Sequence, residues 1–191
     1  MKRASWSAIL ALTAIIFVQG CAPLVIGAGV GAGIMVSEDR RSSGTMLEDQ
    51  VIERKISNLI SETYEDQARV GVTSYNRVVL LVGQVPSETV KNDIGLMALE
   101  TQNVRTVQNE IAIAGTSSFV SRSGDALLTS KVKTRLMNSE DVSANNVKVV
   151  TNNDTVYLMG LVTRAEAAAA TQTAATTSGV QRVVKVFEYL D

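Results

Sequence analysis

The chain carries one cysteine, Cys21, and no histidine among its 191 residues. A lone thiol can serve as a nucleophile, a metal ligand, a bridge to another chain or an acceptor of covalent lipid. Without histidine, the commonest general base and a principal zinc ligand are both missing. Carboxylates remain for acid–base work, but the pairs Glu65-Asp66 and Glu140-Asp141 are adjacent along the chain rather than convergent. Such pairs are expected at exposed helix ends or loops, and nothing beside them suggests a nucleophile. These residue types argue against hydrolytic or metal-centred chemistry and leave the surroundings of Cys21 as the informative feature.

Met1-Lys2-Arg3 is basic, Ala8 to Val18 is apolar apart from Thr13, and Gln19-Gly20 lead into Cys21. A charged start, a short apolar core and a small residue before the cut form a secretory signal over residues 1–20. The core is too short to span a bilayer, which takes ~20 residues. Val18-Gln19-Gly20-Cys21 resembles the bacterial lipobox, in which the cysteine sulfur receives lipid before cleavage. The resemblance implies a mature chain that begins at Cys21 with acyl chains attached. One chain anchors marginally and two hold a protein at the membrane. Ala22, where an aspartate would favour inner-membrane retention, implies the outer membrane. The alternative is a free or buried thiol just past an ordinary cleavage site. No cofactor is implied beyond the covalent lipid on Cys21.

Removal of residues 1–20 leaves 16 basic against 19 acidic side chains, a net charge of −3. That is no electrostatic footprint for a nucleic acid. Residues 22–36, APLVIGAGVGAGIMV, alternate glycine with small apolar residues but contain neither phosphate-loop nor dinucleotide fingerprint. The stretch reads as a pliable tether near the membrane, with glycine-mediated packing on another chain as the alternative. The polar SEDRRSSGT closes a linker that runs from Cys21 to residue 46.

The strongest internal signal is a repeat. VGVTSYNRVVLLVGQV (70–85) aligns without a gap on VKVVTNNDTVYLMGLV (147–162), pairing Val70 with Val147, Leu81 with Leu158 and Gly83 with Gly160. Upstream, Asp49, Ile52, Ile56 and Ile60 pair with Asp125, Leu128, Val132 and Leu136. Downstream, NVRTV (103–107) pairs with GVQRV (179–183). The repeat divides the chain into domains at 47–114 and 125–191, joined by a linker at 115–124. The every-fourth-residue isoleucines mark one face of a helix, and alternating valines mark strands. Asn76 and Asn152-Asn153 supply residues that tolerate the left-handed backbone of a tight hairpin. The strands are expected to end near Gly83 and Gly160. Ser87 caps a second helix in the first copy, and Thr163 with Glu166 forms a capping box in the second. The order is αββαβ, twice, an α+β class.

That order resembles the BON domain, a small module of bacterial periplasmic and outer-membrane proteins. The likeness rests on the cores Val79-Leu80-Leu81-Val82-Gly83-Gln84-Val85 and Val156-Tyr157-Leu158-Met159-Gly160-Leu161-Val162, with the Asn/Gly-Val-x-x-Val endings. A lipobox, a short linker and two copies together are similar to the dual-BON outer-membrane lipoproteins. The resemblance implies a three-stranded mixed sheet packed against two helices in each domain. It also implies a non-enzymatic role in outer-membrane integrity and binding of anionic phospholipids, phosphatidylglycerol and cardiolipin. That contact is assigned to the first helix of the second domain, here Leu127, Leu128, Lys131, Lys133 and Arg135.

The charge distribution is compatible. Residues 47–113 hold ten acidic and six basic side chains, whereas 125–191 hold seven of each. Leu127, Lys131 and Arg135 share a spacing of four and form a stripe beside the core positions Leu128, Val132 and Leu136. An ordinary solvated helix is the alternative. The equivalent first-domain stripe, Val51, Lys55 and Leu59, is expected to pack on the other domain or on a protein partner. An adaptor holding envelope assembly or secretion machinery is the competing function.

Overall fold

The computed structural model describes residues 39–114 and 122–191. The signal segment, Cys21, the glycine-rich stretch and the join at 115–121 lie outside the described residues. Ser37–Asp191 forms one compact unit, and every hydrophobic cluster below lies within it, so this segment carries its own core.

In the first half, α1 (Ser43–Tyr64) leads through β1 (Arg69–Tyr75), β2 (Val78–Val85) and α2 (Glu88–Glu100) to β3 (Thr106–Ile113). The second half repeats this with α3 (Arg122–Met137), β4 (Val147–Asn152), β5 (Thr155–Val162), α4 (Arg164–Ala175) and β6 (Arg182–Tyr189). Each sheet is mixed. β2 pairs antiparallel with β1 and parallel with β3, and β5 does the same with β4 and β6. The αββαβ order inferred from spacing is therefore the observed one.

Local chemistry sets the element boundaries. Ser42 accepts the Thr45 amide at 3.1 Å and opens α1. That start lies ahead of residue 46, where the linker was expected to end. Ser87 caps α2 alone, and Thr163 with Glu166 forms the reciprocal box of α4. The hairpins turn on Asn76-Arg77 and Asn153-Asp154, all four with φ between 49° and 64°. Two successive residues of this kind match the twist of the flanking strands.

Gly83 and Gly160 lie inside β2 and β5 rather than at their ends. A Cβ on Gly83 would sit 2.0 Å from the Arg69 carbonyl oxygen, and one on Gly160 would sit 2.3 Å from that of Asn146. The glycines let the first strand of each hairpin start against the central strand, and the central strand then runs on to Val85 or Val162.

The central strands are apolar on both faces. Val79, Leu81 and Val85 pack under the helices with Ile52, Ile56, Ile60 and Ile94, and Val156, Leu158 and Val162 do so with Leu128, Val132 and Leu136. The alternate residues, Leu80 and Val82 with Tyr75, meet Tyr157 and Met159 of the other sheet in a third cluster. The order of layers is helices, sheet, sheet, helices. The domains thus pack through their sheets. The α1 stripe does not make that contact, since Val51 and Leu59 remain 44% and 42% exposed.

Ion pairs Arg105–Glu188 and Lys148–Glu53, each at 2.9 Å, rim the seam. Full burial of one Leu or Met is worth about 1.5–3 kcal/mol. An exposed ion pair is worth about 0–1 kcal/mol. The apolar layer holds the domains together, and the ion pairs set their alignment.

Gly160→Ala is expected to destabilise Ser37–Asp191 by about 1–3 kcal/mol in denaturant unfolding, because the new methyl meets backbone. Gly71→Ala is the control. Its Cβ would find ordinary contacts at 3.6 Å, and its effect should stay within about 0.5 kcal/mol. Equal effects would refute the close-approach argument.

Candidate functional site

Helix α3 belongs to the outer layer of the second domain. Leu128, Val132 and Leu136 are 5%, 0% and 1% exposed and hold the helix to its sheet. Leu128 is therefore a core residue and is removed from the surface set inferred above. The opposite half of the helix carries Leu127, 66% exposed, and Met137, 70% exposed. Lys131 and Lys133 lie on the same half and have no ion-pair partner among the described residues.

Arg135 behaves differently. Its guanidinium donates to the Thr177 hydroxyl at 2.9 Å and to the Thr176 hydroxyl at 3.0 Å, fastening α3 to the end of α4. A cation there also suits the partial negative charge of a helix C-terminus. The stripe of four-residue spacing thus separates into an exposed pair, Leu127 and Lys131, and a structural arginine. Met137 escaped the sequence reading because it shares its side of the helix with Lys133, four residues earlier, rather than with the stripe.

A first-helix carboxylate locks each hairpin turn. Asp125 on α3 accepts the amides of Asn153 and Asp154 at 3.1 and 3.3 Å. Asp49 on α1 is 2% exposed and accepts more. One oxygen takes the Ser74 hydroxyl at 2.6 Å and the Arg77 amide at 2.7 Å; the other takes the Asn76 amide at 2.8 Å and Arg41 at 2.9 Å. A buried carboxylate needs such partners, because an unpaired one would incur its full desolvation cost. This Asp-to-turn clamp sets α3 on its sheet and fixes which half of it faces outward.

The BON-domain profile matches residues 48–115 and 124–191, one match on each αββαβ unit. The chain belongs to the BON-domain family. It is similar to "Outer membrane lipoprotein DolP" of Haemophilus influenzae, 41% identical over 182 residues that cover 94% of each chain. It is 33% identical to "21 kDa hemolysin" of Actinobacillus pleuropneumoniae over 154 residues, covering 80% of this chain and 79% of that protein. Similarity to "Osmotically-inducible protein Y" of Escherichia coli is 26% over 156 residues, covering 80% and 78%. These matches make it a dual-BON protein of the DolP type.

The two BON domains share a third fastening, in the segment assigned to the linker. Arg40 forms a two-pronged pair with Glu166 of the second domain, both contacts at 2.8 Å, and donates to the Leu161 carbonyl at 2.9 Å. The next residue, Arg41, turns to the first domain. It pairs with Asp49 and Asp39, and its guanidinium lies 3.8 Å from the centre of the Tyr75 ring. Asp39-Arg40-Arg41 is thus a clasp across the seam. Parallel Arg–carboxylate bonds are the stronger kind of surface pair because both prongs share one geometry.

The Arg40 hydrogen bonds, opposed by partial burial and aided by the Thr163 amide and hydroxyl, hold Glu166 down at about 2 against an ordinary 4.5. A depressed carboxylate contributes stability above its ordinary value and loses it as pH falls through the folded value. The clasp should therefore persist at neutral pH and open between about 4.5 and about 2. Carboxyl NMR titration of Arg40→Ala should show Glu166 moving up toward 4.5, and an unchanged midpoint would refute the pairing.

Proposed function

We propose that this dual-BON protein is a non-enzymatic lipoprotein of the outer membrane, held on its periplasmic face by acyl chains on Cys21. Through α3 it binds anionic phospholipid, phosphatidylglycerol or cardiolipin, and it supports outer-membrane integrity. The similarity to an outer-membrane lipoprotein over nearly the whole chain supports the location. One observation carries the lipid contact: the outward half of α3 combines two lysines that have no ion-pair partner among the described residues with two exposed apolar tips, Leu127 and Met137.

Magnitudes decide how such a surface works. Each cation near an anionic membrane is worth ~1 kcal/mol, so Lys131 and Lys133 supply ~2 kcal/mol together. That is negligible for a protein in dilute solution. For a protein already tethered, the effective concentration is of millimolar order and weak contacts become occupied. The anchor and the helix act together.

A second reading, an adaptor for envelope assembly or secretion machinery, is favoured by α1. Val51 and Leu59 stay exposed there, and Leu59 lines a shallow groove with Lys55, Glu62 and Thr101. Substitution of Leu59 that abolishes function while lipid binding survives would support the adaptor.

Ser37–Asp191 should co-sediment with vesicles that contain phosphatidylglycerol at low ionic strength and millimolar lipid. Leu127→Ser/Lys131→Glu should weaken this at least about ten-fold. Indifference to the anionic lipid would refute the reading. Separately, Cys21→Ser should abolish palmitate labelling and release the chain from the membrane fraction. Retained labelling would place the acyl chain elsewhere.

A further inference from the structure

Where the seam between the domains meets the C-terminal half of α3 there is a pocket of about 300 Å³. Arg41 and Tyr75 of the first domain line it, facing Lys133, Leu136, Met137 and Lys148 of the second. Three of its described lining residues are basic and none is acidic. The carboxylates that pair with Arg41 and Lys148 belong to Asp39, Asp49 and Glu53, none of which is among the lining residues. The Lys133 ammonium has no ion-pair partner among the described residues, so one full positive charge is uncompensated at the pocket.

Leu136, Met137, Ala144 and Val147 form the apolar part of the lining, and Tyr75 and Asn145 add a phenol and an amide. Leu136 belongs to the core, and Met137 is 70% exposed. Clefts at domain interfaces are preferred ligand sites, and ~300 Å³ is the low end of their range. Such a volume suits a headgroup and not a whole lipid.

We propose that this interdomain pocket receives a phosphate-ester anion, with the phosphate at Lys133 and its organic part against Leu136 and Met137. A phosphate fits the basic lining because it presents several strong acceptor oxygens around one charged centre. The proposal rests on the lipid-binding reading of α3 and extends it, since Arg41 and Tyr75 come from the first BON domain. Binding then requires the two domains in register and not α3 alone.

The test follows amide NMR shifts of Ser37–Asp191 during titration with short-chain phosphatidylglycerol, short-chain phosphatidylcholine and glycerol phosphate. Phosphatidylglycerol should move Tyr75, Lys133 and Val147 together, and phosphatidylcholine should not. Lys133→Gln should weaken this binding about five-fold, whereas Lys185→Gln, an exposed lysine of β6 outside the lining, should leave the Tyr75 shift in place. Glycerol phosphate moving the same amides equally well would uphold the pocket and assign it a free phosphate ester. Shifts confined to Leu127 and Lys131, with Tyr75 silent, would overturn the pocket while leaving the α3 surface reading intact. Equal response to both lipids would overturn it as well, because an apolar cleft would then suffice. Silence with all three compounds would overturn the pocket, and the vesicle assay would decide the helix independently.

Discussion

Strands β2 and β5 are apolar on both faces, and much of the architecture follows from that. A strand's side chains alternate between faces, so a run such as Val78-Val79-Leu80-Leu81-Val82 cannot be covered by one layer of helices. In each domain α1 with α2, or α3 with α4, covers Val79 and Leu81 or Val156 and Leu158. The faces that carry Leu80 and Met159, both fully buried, are covered by the opposite sheet. Small domains bury a limited share of their surface alone, and this mutual cover enlarges the core of both. It also places the helices outermost, which leaves one half of α3 to the surroundings.

The polar contacts act at the edges of that apolar layer. Asp49 and Asp125 tie the first helix of each domain to its hairpin turn, but Asp49 also receives Arg41 and so joins the clasp. Arg40 and Arg41 point to different domains, so the chain that arrives from the N-terminal side is fixed to both before α1 begins. Surface ion pairs are weak singly. Here the value of Arg40–Glu166, Arg105–Glu188 and Lys148–Glu53 is geometric, because these three span the seam and favour one alignment of the sheets. Domains kept in one alignment hold α3 in a constant relation to the point where the chain enters the fold.

The charge balance of the two domains gives that arrangement a direction. The first domain is net acidic and the second is balanced, with Lys131 and Lys133, which have no ion-pair partner among the described residues, on the exposed half of α3. Arg135 is drawn away to Thr176 and Thr177. The outward face is consequently a mixture of two cations and two apolar tips, with no carboxylate among the exposed residues from Leu127 to Met137.

The repeat, the helix and strand periods, the capping residues Ser87 and Thr163 and the left-handed turn residues Asn76 and Asn153 were legible in the sequence, because each is a local rule of spacing or backbone preference. Ile52, Ile56 and Ile60 marked their core face for the same reason. Tertiary structure decided everything that depends on a neighbour distant in the chain. Leu128 stood both at a core position and in the lipid-binding set, and packing against the sheet leaves it 5% exposed and in the core alone. Lys131 and Arg135 share a stripe, and only the end of α4 explains why Arg135 is engaged. Gly83 reads as the end of a strand until the Arg69 carbonyl is placed 2.0 Å from where its Cβ would be. Arg40 and Arg41 read as a polar linker, because the carboxylates and the ring that hold them lie 126, 8 and 34 residues away. The sequence by itself determined two BON modules and their secondary structure; how they cover one another, and which residues that leaves exposed, depended on contacts that no local spacing encodes.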